Sequence, residues 1–263
     1  MGHMHKMNEF LSQLIKQPHF GTWLTLGDPL ATEIMGAAGY DWVILDTQHG
    51  AITWDRMLPA IQALNLSGVR PFVRVAWNDP ALLMRAMDLG AQGVVVPMVS
   101  TGEQARLAAQ AIRYPPHGIR SYGPVRSSYM ASGVPKEDAL CFVMIETAEA
   151  LENLDEIAAT PGVDGLFVGP VDLAYSLGVG PGFQMPPEVL AACQRVVSVC
   201  NRHSLAPGCA GMSPENVQLL MNHGMRALAF GSDAAHIRRG AAADQQLIAQ
   251  LKSEFSGAGA PKA

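Results

Sequence analysis

Glu146 and Asp172 are acids placed where an acid gains nothing from a hydrophobic core. Glu146 closes the apolar run Leu140-Cys-Phe-Val-Met-Ile145, and Asp172 follows Gly165-Leu-Phe-Val-Gly-Pro170 one strand–helix unit later. Two carboxylates at the carboxyl ends of neighbouring parallel strands converge on one point, which suits a hard divalent cation. Other run ends add to this. Asp46-Thr-Gln-His49 follows an earlier apolar run, and a carboxylate near an imidazole can fix its tautomer and raise its basicity. Arg74 interrupts the run Val73-Arg-Val75, and a guanidinium is rarely buried without a specific partner. Trp23 lies in the first run and Gly231-Ser-Asp233 closes the last. The set is a base, a fixed cation and a pair of acids. Structural alternatives stand beside it: Arg74 pairing a core carboxylate, His49 capping a loop, Glu146 and Asp172 bridging to Arg74 or Arg120.

An ion held by only two carboxylates keeps coordination positions for water and substrate. A 2-oxo acid such as pyruvate can fill two of them, and the metal then acts as a Lewis acid that makes the adjacent C–H acidic. Arg74 is placed to stabilise an enolate oxygen, and His49, oriented by Asp46, to relay a proton. The sum is a metal-dependent enolate enzyme. The lysines are Lys6, Lys16, Lys136, Lys252 and Lys262, none on an expected strand, which closes the Schiff-base route. The chain has no GxGxxG after its first strand, no GxxxxGK[ST] and no GxSxG, so nucleotide chemistry and a serine elbow are unsupported.

The elements that must position these residues alternate in type. Strands are expected over Gly21–Leu26, Trp42–Asp46, Pro71–Val75, Gly93–Val99, Leu140–Glu146, Gly165–Gly169, Ala206–Ala210 and Arg226–Phe230. Helical periodicity fills 29–38, 54–65, 80–89, 102–113, 148–160, 186–203, 213–223 and 234–254. Gly39, Gly90, Gly162 and Gly224 sit where helices should stop; Asp79-Pro80 and Ser213-Pro-Glu215 sit where they should start. Nearly continuous apolar strands mark a parallel sheet covered on both faces. Eight uninterrupted βα units predict a closed (β/α)8 TIM barrel over residues 20–255.

Composition agrees. The 263 residues are 49% hydrophobic and 16% charged with net charge −5, which supplies a core but no basic block for nucleic acid. No apolar stretch is long enough to span a membrane, and a cytoplasmic protein is expected. Residues 1–19 read as a possible cloning remnant plus a short helix, so His3 and His5 are set aside. Cys141, Cys193, Cys200 and Cys209 lack metal or disulfide spacing and read as buried free thiols. Residues 114–137, rich in Gly, Pro, Tyr and Arg, form a long excursion suited to a covering loop or subunit contact; residues 256–263 read as a flexible tail.

Several stretches resemble the class II pyruvate aldolases of the HpcH/HpaI family. They are Gly39-Tyr-Asp-Trp-Val-Ile-Leu-Asp-Thr-Gln-His49, Val73-Arg-Val-Ala-Trp-Asn-Asp-Pro80, Val96-Pro-Met-Val99, Arg113-Tyr-Pro-Pro-His-Gly-Ile-Arg120, Ile145-Glu-Thr147 and Gly162-Val-Asp-Gly-Leu-Phe-Val-Gly-Pro-Val-Asp-Leu173. The resemblance implies Glu146 and Asp172 as ligands of Mg²⁺, Mn²⁺, Co²⁺ or a similar ion, His49 with Asp46 as the acid–base pair, and Arg74 on the keto oxygen. It implies that the backbone of Gly169, Val171 and Asp172, flanking Pro170, holds the pyruvate carboxylate, and that Trp23 lines the substrate site. It further implies a C-terminal helix exchanged between subunits, a hexamer built as a trimer of dimers, and Asp88 reaching a neighbour's active site. The chain departs from the pattern at Thr47-Gln48, where many members have Gly-Glu, and at Met144, where many have Gln. Both positions fall around the expected metal. The segment Gly208-Cys-Ala-Gly-Met-Ser213, expected to help set aldehyde choice, also differs from better-known members.

The expected reaction is reversible cleavage of a 4-hydroxy-2-oxo acid to pyruvate, or a related 2-oxo acid, and an aldehyde. A citrate-lyase-β-like acyl-CoA lyase is the enzyme alternative, opposed by the scarcity of lysine for CoA phosphates. A non-catalytic assembly barrel is the other.

Overall fold

The computed structural model describes residues 2–123, 125–126, 139–180, 182 and 185–257. Eight parallel strands close into a barrel in sequence order: β1 (His19–Leu24), β2 (Trp42–Asp46), β3 (Arg70–Arg74), β4 (Gly93–Val96), β5 (Leu140–Ile145), β6 (Gly165–Val168), β7 (Ala206–Gly211) and β8 (Ala227–Ser232). Helices follow each strand: α2 (Pro29–Ala37), α3 (Trp54–Ser67), α4 (Pro80–Leu89), α5 (Gly102–Ala111), α6 (Ala148–Glu152), α7 (Leu154–Ala158), α8 (Pro170–Ser176), α9 (Pro187–His203), α10 (Pro214–Asn222) and α11 (Asp233–Gly257), with α1 (Gly2–Lys16) ahead of the first strand. This is the expected (β/α)8 architecture. The helix starts are built as the sequence implies: Asp79 accepts from Ala81 N at 2.7 Å and Ser213 from Asn216 N at 3.2 Å. Gly90 ends α4 at φ +105°, a left-handed conformation open to glycine without steric cost.

Register explains how the barrel interior fills. Trp42, Phe72, Phe142 and Phe167 are fully buried, and each lies beside a glycine on the adjacent strand: Gly21, Gly93, Gly165 and Gly208. A Cβ at any of these glycines would lie 2.2–2.6 Å from the neighbouring ring. Large faces small across each strand pair, so the four aromatics fill the interior without collision.

Several elements differ from expectation. The N-terminal helix has 15 residues, and its Phe10 and Leu14 are buried with the interior aromatics. Phe10 meets Arg70 and His19, which begin β3 and β1, so α1 covers the amino-terminal mouth. The expected helix over 148–160 breaks at Asn153 into α6 and α7. The unexpected α8 carries Asp172. Helix α11 runs to Gly257, past the start of the expected tail, and residues 258–263 lie outside the described residues. Most of the excursion, 127–138 and residue 124, also lies outside them; its described part holds Arg120, buried against Tyr114 and Asp88. All four cysteines are buried and free, and burial pushes the Cys141 and Cys200 thiols up to about 12, leaving them protonated.

Candidate active site

Glu146 directly follows β5, and its side chain points inward, two residues beyond Met144 and four beyond Phe142. It is 3% exposed. Its Oε1 accepts the Met98 N–H at 2.6 Å, and Met98 adopts a left-handed backbone (φ +55°) just beyond β4. The other oxygen lies against Gly169, where a Cβ would come within 2.5 Å of it. Burial, the main cause, and the negative charge of Asp172 raise the Glu146 carboxyl above the usual range; the Met98 N–H and Arg74 pull the other way. Asp172, in the first turn of α8, is exposed and has no hydrogen-bond or ion-pair partner among the described residues. The two arginines weighed as bridges to these acids pair elsewhere: Arg74 with Asp46, Arg120 with Asp88.

The Asp46–Arg74 contact comes from register, since the two residues pair across β2 and β3. Arg74 donates from Nε to Oδ1 (2.9 Å) and from Nη2 to Oδ2 (2.6 Å), a bidentate bridge, and its guanidinium sits 4.4 Å over the Trp23 ring. Asp46 Oδ1 also receives the backbone N–H groups of Gln48 and His49. The expected contact between Asp46 and the His49 imidazole is therefore absent: the carboxylate holds Arg74 and the loop instead. The exposed His49 ring reaches the cavity through that loop, which Gly50 lets pass close to Asp46 and Thr25. A Cβ at Gly50 would be 2.3 Å from the Asp46 carbonyl oxygen.

These groups line one cavity of about 690 Å³ at the carboxyl end of the barrel. Trp23, Asp46, His49, Arg74, Met144 and Gly169 through Asp172 all border it, and Glu146 lies beneath Gly169. Pro170 begins α8 and brings no N–H, and the Leu173 N–H closes on Gly169 O. The Val171 and Asp172 N–H groups thus have no earlier helical partner and are available to an anion. The Gly169 N–H is not, because it donates to Ile145 O at 3.3 Å. Among the described residues no group of three or more His, Cys, Asp or Glu could hold a metal.

Asp88 does not border this cavity in its own chain; it pairs with Arg120 at 2.7 Å. Asp233, at the end of the eighth strand, is 3% exposed and binds Thr25 and Leu26, a tie between β8 and the loop after β1. Sequence reasoning included Met98 in the resembling stretch Val96–Val99 but gave it no role, and it missed Arg238 and Arg239, which border the cavity from α11. Their adjacency one turn past Asp233 was a visible sign.

Residues 19–240 match the profile of the HpcH/HpaI aldolase/citrate lyase family. The chain is 39% identical over 221 residues to a 2-dehydro-3,6-dideoxy-6-sulfogluconate aldolase of Pseudomonas putida, covering 82% of this chain and 86% of that protein. It is 37% identical to a 4-hydroxy-2-oxo-heptane-1,7-dioate aldolase of Klebsiella pneumoniae, covering 90% and 92%. An HpcH/HpaI aldolase/citrate lyase family protein from Burkholderia cenocepacia superposes with a TM-score of 0.82 at 29% identity, covering 93% of this chain and 99% of that one. A citrate lyase β subunit from M. tuberculosis shares the fold alone, with a TM-score of 0.57 at 16% identity. The chain belongs to the HpcH/HpaI aldolase/citrate lyase family, and it is a carbon–carbon lyase of the aldolase kind.

Proposed function

We propose that this cavity performs divalent-metal-dependent, reversible cleavage of 4-hydroxy-2-oxo acids to pyruvate and an aldehyde, with Glu146 and Asp172 as the metal ligands. One observation supports the reading: Glu146 is buried beside Asp172, and among the described residues neither acid forms an ion pair, because Arg74 and Arg120 each bind another acid. A divalent cation fits that donor set, and Mg²⁺, Mn²⁺ or Co²⁺ are the candidates. Bound there, it would supply Lewis acidity toward the 2-oxo group.

The remaining roles fall to this chain's own side chains. The Val171 and Asp172 N–H groups receive the carboxylate of the 2-oxo acid. Arg74, fixed by Asp46 and Trp23, makes no hydrogen bond from Nη1 among the described residues and turns that donor to the 2-oxo oxygen. His49 takes the proton of the C4 hydroxyl, directly or through water. The C3–C4 bond breaks, its electrons pass to the enolate oxygen at C2, and the C4 fragment leaves as an aldehyde. Return of the proton to C3 completes pyruvate.

Assembly belongs to the same reading. From Ile237 to Phe255 α11 is exposed, with Leu247, Leu251 and Phe255 at 54%, 55% and 73%. Leu30, Ile34 and Leu66 on α2 and α3 are exposed as well, at 65%, 63% and 81%. Exchange of α11 between subunits covers such faces, and a hexamer built from dimers would bring Asp88 toward a neighbour's cavity. No described helix is long and apolar enough to cross a membrane, and we place the enzyme in the cytoplasm.

The test is a retro-aldol assay on several 4-hydroxy-2-oxo acids, read as pyruvate, with a panel of metals. EDTA should abolish pyruvate release and a divalent ion restore it; full activity in metal-free protein would sink the mechanism. Light scattering should return six chains per particle.

A further inference from the structure

Met144 is the inward residue of β5 between Phe142 and Glu146, and it borders the cavity although only 2% exposed. Beneath it lie the rings of Phe142 and Phe167, with which it shares a core. Its methyl group and Glu146 Oε2 crowd one point: a Cβ on Gly169 would lie 3.1 Å from the first and 2.5 Å from the second. The Met98 N–H occupies Oε1, so the Met144 thioether forms the floor beside the carboxylate oxygen that is left open. A thioether is a weak acceptor and donates nothing. The other side-chain oxygens that border the cavity, Asp172 apart, are already engaged. Asp46 receives Arg74 and two backbone N–H groups, Thr25 Oγ1 donates to Asp233, and Ser232 Oγ accepts the Ala235 N–H. This floor is internal to one barrel and does not depend on a neighbouring subunit.

A cation held by two carboxylates completes its shell with water and substrate, and those polarised waters seek acceptors in the shell outside. Ions differ in how much that outer shell matters. Mg²⁺ demands a near-ideal octahedron, sheds water reluctantly and keeps several waters when bound. Co²⁺ binds the same donors more tightly, so less of its affinity depends on the outer shell. A floor without an acceptor therefore costs Mg²⁺ more than Co²⁺. We propose that Met144 sets the metal choice of this site, turning it from Mg²⁺ toward Co²⁺ by withholding a hydrogen-bond acceptor from the ion's water. The proposal rests on the metal reading above. It goes further in naming the ion favoured and the side chain that selects it.

Titration calorimetry of the metal-free protein with Mg²⁺ and with Co²⁺ tests this without turnover. Met144→Gln brings an amide acceptor to the same place at similar length. It should lower the Co²⁺-to-Mg²⁺ affinity ratio by about tenfold, the lower end of what one outer-shell partner contributes. Met144→Ala, which leaves room for a water, should move the ratio the same way. Met144→Leu, apolar and of similar volume, should keep the wild-type ratio. If the glutamine variant does not fold, the alanine and leucine variants decide the question between them. A ratio that neither polar replacement nor added water changes overturns the proposal. So does an equal fall in Met144→Leu, which would mark a disturbed core instead of a missing acceptor. Failure of both ions to bind the wild type removes the metal reading and the role of Met144 with it; binding at one ratio in every variant removes only the role of Met144.

Discussion

Glu146 and Asp164 stand at opposite ends of adjacent strands, and the fold treats them differently. Glu146 follows β5 at the cavity; Asp164 precedes β6 at the amino-terminal end. Burial raises the pKa of both. Asp164 is compensated: Arg113 donates to it at 3.1 Å and the Cys141 N–H at 2.8 Å. Glu146 receives one backbone N–H and faces a second acid. A buried carboxylate with its counter-charge supplied is structural. On the proposed reading Glu146, which forms no ion pair among the described residues, takes its counter-charge from a cation.

Exchanging each acid for its amide should separate the two roles. Glu146→Gln should lower kcat/KM for pyruvate release by about a hundredfold to a thousandfold or more, the scale of losing one electrostatic stabiliser. Asp164→Asn should leave the turnover of folded enzyme near normal but cost about 3 kcal/mol in urea unfolding, because Arg113 loses its partner. If the two variants exchanged phenotypes, the contrast would be wrong.

Arg74→Lys keeps the charge but loses the bidentate fork, and kcat should fall by about a hundredfold in steady-state assays. Arg74→Ala is the less informative variant, since it also strands Asp46 at 2% exposure and should destabilise the fold by about 3–5 kcal/mol. Gly169→Ala should displace the Glu146 carboxylate and cost about tenfold to a hundredfold in metal affinity, measured by calorimetry.

The smallest effect concerns pH. The folded-state pKa of Glu146 lies above the ordinary 4.5. Native protein then keeps a proton that the unfolded chain has lost, so this residue's contribution to stability falls as pH rises from about 4.5 through the folded value. Chelated wild type should therefore lose stability relative to Glu146→Gln across that window. Parallel urea midpoints at every pH would show that Glu146 bears no burial cost.

Features that depend on local chain chemistry were visible in the sequence. The strand Trp42–Asp46 falls on its expected limits, and the starts at Asp79 and Ser213 are real caps, because an apolar run or a capping residue acts within a few positions. Contacts that cross the barrel were harder. Asp46 was assigned to His49, three residues away, whereas register set it beside Arg74, twenty-eight residues on. The N-terminal plug was underrated because Phe10 and Leu14 gain their value from Trp42 and Phe72, with which they share a core. The Met98 N–H on Glu146 depends on a single left-handed residue that no local pattern announces.

That plug has a kinetic consequence. With α1 covering the amino-terminal end and aromatics filling the interior, the described residues leave one doorway, at the carboxyl end, and Arg74 and Glu146 lie deeper behind it than the exposed Arg238 and Arg239. Traffic through one doorway is sequential. On the roles proposed here, cleavage should release the aldehyde first and pyruvate second, and synthesis should load them in the reverse order. Pyruvate should then compete with the 4-hydroxy-2-oxo acid for free enzyme in product inhibition, and the aldehyde should not.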